Sequence, residues 1–180
     1  RSAARTLTEK YNSSLMKERQ TAKEIEELRI TIGQLSGRKK TIEEMEANYE
    51  GYNHAVRYIM KADMRGIEGV VAELMNVPAG YETAIETALG ASLQNIVCAD
   101  DKSAQDAVNI LKANRAGRLT FLPLASVRGT LNKDSRVTSA AGFKGYGSEC
   151  IEFDSKYRNI FEYLLGRTVV VDNMNNAVKL

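Results

Sequence analysis

The chain has 180 residues, 43% of them hydrophobic and 27% charged, with a formal net charge of +2. That is enough for one packed domain with residues to spare, and near-neutrality excludes a bulk electrostatic case for nucleic acid or membrane. A single histidine and two cysteines in no metal or redox spacing, Cys98 and Cys150, exclude a zinc site, a histidine-dependent triad and a disulfide-stapled secreted scaffold. No apolar run is long enough for a bilayer and no signal-peptide pattern opens the chain, which fits the cytoplasm. The start at Arg1-Ser2-Ala3 reads as a piece of a larger protein.

From about Leu7 to Ile59 there is no proline, and the residues are good helix formers. Apolar residues recur in steps of three and four. A weak early run uses Tyr11, Leu15, Ala22 and Ile25. Leu28, Ile32, Leu35 and Ile42 follow, then Met45, Tyr49, Tyr52, Val56 and Ile59. So narrow a stripe is a coiled-coil seam, which needs a partner helix. Two three-residue steps slip its phase. Gly33 and Gly37 make the softest point, each costing about 1 kcal/mol relative to alanine. At 1.5 Å per residue such an arm, residues 1–62, reaches on the order of 80 Å.

The pattern changes at Gly66-Ile67-Glu68-Gly69. Residues 63–124 read as a compact α/β unit. Tyr81–Leu89 is a helix stopped by Gly90, and Leu93–Cys98 is a buried strand. Ala104–Ala113 is a helix capped by Asp101 or Ser103 and closed by Gly117. Leu119–Leu122 is a strand stopped by Pro123. Strand and helix alternate as in a small mixed or parallel sheet with crossover helices. Residues 125–150, rich in Gly, Ser and Thr, read as linker. Order returns at 151–180 with a helix at Tyr157–Leu165, stopped by Gly166, and a strand at Thr168–Val171. Ala88-Leu89-Gly90, Asn95-Ile96-Val97, Asp100-Asp101 and Ala107-Val108 recur as Leu164-Leu165-Gly166, Val169-Val170-Val171, Asp172-Asn173 and Ala177-Val178. The repeat predicts two related subdomains, the second interrupted at Leu180.

No residue set predicts catalysis. His54 reads as a coil-surface residue, Asp100-Asp101 as a helix cap, and Gly142–Gly147 as flexible linker rather than a phosphate loop. Arg57, Lys61 and Arg65, and separately Lys112, Arg115 and Arg118, are candidates for sequence-independent phosphate contact. Phe121, Leu122 and Leu124, beside Pro123, suit a sheet edge that pairs with another chain.

Gly69-Val70-Val71-Ala72-Glu73-Leu74, Tyr81–Glu86 with Ala88-Leu89-Gly90, Leu93–Val97, Ala116-Gly117-Arg118 to Leu124, and Leu164–Val171 resemble, in order and spacing, the hinge domain of structural maintenance of chromosomes (SMC) proteins, most closely the bacterial type. The resemblance covers Gly66 to Leu180. It implies a chromosome-condensing and segregating ATPase whose chain runs out along one coil helix, through a hinge, and back antiparallel. It also implies a homodimer through the hinge, DNA contact near the coil junction, and association with the nucleoid. ATP belongs to heads not in this chain, since no G-x-x-x-x-G-K-[ST] occurs, so no cofactor is expected here. The family's glycine-rich interface motif and its returning helix are not within the sequence. The competing reading is a nucleotide- or small-molecule-binding α/β module on a coil, with the loop after Val137 as its lid.

Overall fold

The computed structural model describes residues 2–180. The chain divides into two compact units, one ending at Gly51 and the other Tyr52–Leu180.

The first unit is one helix, α1 (Ser2–Ala47), about 70 Å long at 1.5 Å per residue. It passes unbroken through Gly33 and Gly37. Lys39–Glu43 and Lys40–Glu44 pair one turn apart, each worth a few tenths of a kcal/mol. The expected helix to Ile59 is corrected: α1 stops twelve residues earlier. Tyr49 adopts φ 53°. Its N–H donates to the Glu46 carbonyl, and the Glu50 N–H donates to the Met45 carbonyl. That is a Schellman stop, with tyrosine in the left-handed position that glycine usually fills. A new helix, α2 (His54–Lys61), then starts on Asn53, whose side chain accepts from the Val56 N–H at 2.9 Å.

The second unit contains seven short strands, six α-helices and four short 3-10 helices among the described residues. β1 (Ile67–Val70) pairs antiparallel with β3 (Ile96–Cys98), which pairs parallel with β4 (Phe121–Pro123). Helix α3 (Glu82–Leu89) precedes β3, and α4 (Asp101–Ala113) connects β3 to β4. The cap of α4 is Asp100, ahead of both Asp101 and Ser103, and its side chain accepts from the Ser103 N–H. Its helix closes at Arg115, not at Gly117. Arg115 takes φ 51°, and the Ala116 N–H donates to the Leu111 carbonyl.

The remaining half repeats this plan. β5 (Phe143–Tyr146) pairs antiparallel with β7 (Val169–Val171), with α6 (Arg158–Leu165) between them and α7 (Met174–Ala177) after them. Ile67, Gly69 and Val70 recur 76 positions on as Phe143, Gly145 and Tyr146 (67 to 143), and α3 recurs as α6 (82 to 158). Both sheets carry the same irregularity, between residues 67 and 69 and between 143 and 145. Gly66 and Gly142 both take positive φ, 85° and 79°, and their carbonyls accept from the Ala99 and Asp172 N–H groups. The two halves join through β2 (Met75–Asn76) and β6 (Glu152–Phe153), paired as Met75 with Phe153 and Asn76 with Glu152. That register maps onto itself when the halves are exchanged, the mark of an internal two-fold.

The linker expected at 125–150 is also corrected. Val127 packs on the main core. A Cβ on Gly129 would meet the Asn159 carbonyl and the Tyr163 amide at 2.5 Å, so only glycine lets this strap cross α6. Helix α5 (Ser135–Thr138) is capped by Asp134, whose own N–H donates to the Tyr146 hydroxyl. Tyr146, Gly147, Ser148 and Cys150 are buried.

One core serves both halves: Val71, Ile85, Leu89, Val97 and Leu122 from the first, and Ile151, Tyr157, Ile160, Phe161, Leu165 and Val170 from the second. At its margin Glu68 of β1 accepts from Lys156 Nζ at 2.9 Å and from the Tyr157 hydroxyl at 3.1 Å. The Lys156 hydrogen bond holds the Glu68 carboxyl below its usual range, against the opposing effect of burial. A lowered carboxylate pKa contributes stability at neutral pH that is lost as pH falls through the folded value. Glu68→Gln is therefore expected to lower the melting temperature at pH 7 by on the order of a few degrees, since the pair is partly screened. The difference from wild type should shrink as pH falls below the ordinary glutamate value of about 4.3 and vanish below the lowered folded one. A gap that stayed constant down to pH 3 in melting scans would contradict this origin.

Candidate functional site

The arm carries its apolar residues in the open. Leu28, Ile32 and Leu35 are 61–62% exposed, and Ile42 and Met45 nearly half exposed. Burying five such side chains against a mate contributes about 2 kcal/mol each. The other predicted seam positions do not continue this stripe. Val56 and Ile59 are wholly buried in the second unit. Tyr52 packs partly buried beside Val56, Val70 and Ile96, and Tyr49 forms the stop of α1. Their three-and-four spacing comes from α2 burying one face in a globule, which a short window does not distinguish from a seam.

Helix α2 seats its buried face, Ala55 and Ile59, on Ala107, Leu111 and Ala116 of the α4 region. His54, expected on a coil surface, stands at its N-terminus, where Nδ1 lies 3.1 Å from the Ala116 carbonyl. The Asn53 N–H donates to Gln94 Oε1 at 2.9 Å. Arg57 and Lys61 are four residues apart on α2, and Arg65 lies in the turn beyond it.

Lys112, Arg115 and Arg118 come together. They line one cleft of about 570 Å³ with Val108, Leu111, Gly117 and Leu119. The left-handed turn at Arg115 folds the chain back, so that residues before and after the helix end share this rim. Arg57, Lys61 and Arg65 are not in its lining. Three cations around an apolar floor can pair with phosphates spaced along a backbone, and present no group for breaking a bond.

β4 is an edge strand, paired on one side only among the described residues. The Thr120 carbonyl accepts from the Ile96 N–H and the Leu124 N–H donates to the Cys98 carbonyl. In a parallel ladder that turns the Phe121 N–H and carbonyl to the open side. Leu122 is 5% exposed. Phe121 and Leu124 pack half-buried against the cores. The edge thus offers backbone groups more than apolar side chains.

Among the described residues no three His, Cys, Asp or Glu side chains cluster as metal ligands, and no helix is long and apolar enough to cross a membrane. Burial pushes the Cys98 thiol up to about 11, the protonated and unreactive form. The segment after Val137, considered as a lid, is the strand β5 and a buried turn.

The sequence model described as "SMC proteins Flexible Hinge Domain" matches residues 64–180. The chromosome partition protein Smc of Halothermothrix orenii is 42% identical over 143 residues, 77% of this chain and 12% of that protein. The crystal structure of an asymmetric dimer of the Geobacillus stearothermophilus SMC hinge domain superposes with a TM-score of 0.78 at 37% identity, covering 84% of this chain and 62% of that one. A Pyrococcus furiosus Smc hinge domain with an extended coiled coil gives a TM-score of 0.62 at 34% identity, over 80% of this chain and 51% of that one. The chain spans little more than a tenth of the length of the curated relatives it matches.

Proposed function

The chain belongs to the family of SMC flexible hinge domains, and from that premise we propose that it joins two arms of a chromosome-partitioning machine. The compact unit pairs with a second copy through the open edge of β4, and α1 is one half of an antiparallel coil. The unpartnered apolar stripe of α1 carries this reading. A 46-residue helix with so much exposed leucine and isoleucine is stable in water only with a mate alongside. The solved structures of relatives, one a hinge dimer and one a hinge with its extended coil, supply both kinds of partner in other proteins. The arrangement needs no catalysis from this chain. ATP hydrolysis belongs to heads elsewhere in such a protein, and the place of action is the nucleoid in the cytoplasm.

DNA is held through its phosphates by Lys112, Arg115 and Arg118, aided by Arg57, Lys61 and Arg65. Reversing the first three to glutamate is expected to weaken binding to DNA of any sequence at least tenfold. It should also flatten the dependence of log K on log salt by about one unit for each phosphate no longer neutralised. Affinity and slope unchanged in a fluorescence-anisotropy titration would remove the cleft from the DNA surface. Pairing is read from the mass in solution, expected at twice the 19.9 kDa of one chain.

A further inference from the structure

The cleft at the end of α4 holds more than phosphate contacts require. One bank is α4 itself, with Val108, Leu111 and Lys112. The other is the returning segment Gly117–Leu119, and Arg115 stands at the turn between them. The returning bank is held in place. The Ala116 carbonyl lies 3.1 Å from His54 Nδ1, and a Cβ on Gly117 would meet that of Ala55 at 3.2 Å. The groove is therefore built before any ligand arrives.

Its chemistry is specific. Among the described residues no carboxylate lines it, and Lys112, Arg115 and Arg118 form no ion pair. All three charges are free to meet an anion. Between them lies an apolar floor. Leu111 is buried, Val108 and Leu119 are half-buried, and Val108 belongs to none of the packed clusters of the core. A nucleic-acid backbone answers the cations but has little apolar surface to lay on that floor. A helix with carboxylates on both sides of an apolar stripe answers both. Its side chains also recur every three to four residues, the one-turn spacing of Val108 and Lys112 on α4.

We propose that the cleft receives an acidic amphipathic helix of a partner protein, and that this helix excludes DNA. The apolar stripe of the helix rests on Val108, Leu111 and Leu119. Its glutamates or aspartates pair with Lys112, Arg115 and Arg118. Binding of the helix stands on the cleft alone, whereas the exclusion rests on the reading of the same three cations as the DNA surface.

The test is a titration of the isotope-labelled chain at about 150 mM salt, read from backbone amide resonances. The probes are three blocked peptides of about 18 residues, five helical turns. One carries leucine and glutamate in a helical stripe, the second has glutamine for every glutamate, and the third scrambles the first so that no stripe forms. The striped acidic peptide is expected to shift Val108, Gly117 and Leu119 saturably, and to release a fluorescent duplex from the chain in an anisotropy competition. The glutamine and scrambled peptides should bind there at least tenfold more weakly. Lys112→Glu combined with Arg115→Glu should abolish the shifts, and Val108→Asn should weaken the striped peptide severalfold. No saturable shift at the cleft, shifts confined to α1, or equal affinity for the scrambled peptide overturns the proposal. Shifts at the cleft with the duplex still bound overturn the exclusion. Shifts at the cleft of a chain that binds no duplex uphold the helix site and overturn the DNA reading.

Discussion

Ile59→Ala is expected to destabilise the compact unit by about 2–5 kcal/mol, whereas Leu35→Ala leaves that unit's stability unchanged to within about 0.5 kcal/mol. Both residues sit in successive runs of three-and-four spacing, and the sequence offers no reason to treat them differently. The structure does. Ile59 is fully enclosed with Ala55, Ala107, Leu111 and Ala116, so truncation removes transfer energy and leaves a cavity. Leu35 is 61% exposed on α1, and its truncation removes only packing that a mate would supply. Urea unfolding followed at an amide of the compact unit reads both values. Equal effects would mean that α2 belongs to the arm after all.

Phe161→Ala should cost about 3–5 kcal/mol and loosen both halves together. Phe161 is fully buried at the centre of the shared core, its ring centroid 4.7 Å from that of Phe153. The same core holds Val71, Ile85 and Val97 of the first half. Two halves that share one core and the β2–β6 pair have no separate way to unfold. Amide exchange should therefore speed up at Ile85 and Val97 as much as at Ile160 and Leu165. Loss of protection confined to residues after 142 would show two independent subdomains.

Much of this was legible in the chain. The Leu-Gly stops at Leu89-Gly90 and Leu165-Gly166, each followed by an apolar strand and an acidic or amide cap, spelled out the repeat before any coordinate. What stayed hidden turned on backbone conformation. A helix stop normally shows as glycine, and at Tyr49 and Arg115 the left-handed residue is not glycine, so the arm read twelve residues too long. β5 looked like linker because Gly145 lies within it and Gly142 and Gly147 flank it. Those glycines serve a turn and a bulged strand, as Gly66 and Gly69 do in β1. Comparing Ile67-Glu68-Gly69-Val70 with Phe143-Lys144-Gly145-Tyr146 carries that signal. The cleft shared by Lys112, Arg115 and Arg118 was partly visible as closeness in sequence. The reversal at Arg115 that places them on one rim was not.

If the hinge is what joins the arms, the compact unit must hold two copies together whether or not the arms pair. Sedimentation equilibrium on the Leu28→Glu, Leu35→Glu double variant isolates that step, because two charges in the exposed stripe disable coil pairing without touching the globule. The expected mass approaches twice 19.9 kDa as concentration rises through the micromolar range. A mass of one chain at every concentration would contradict it.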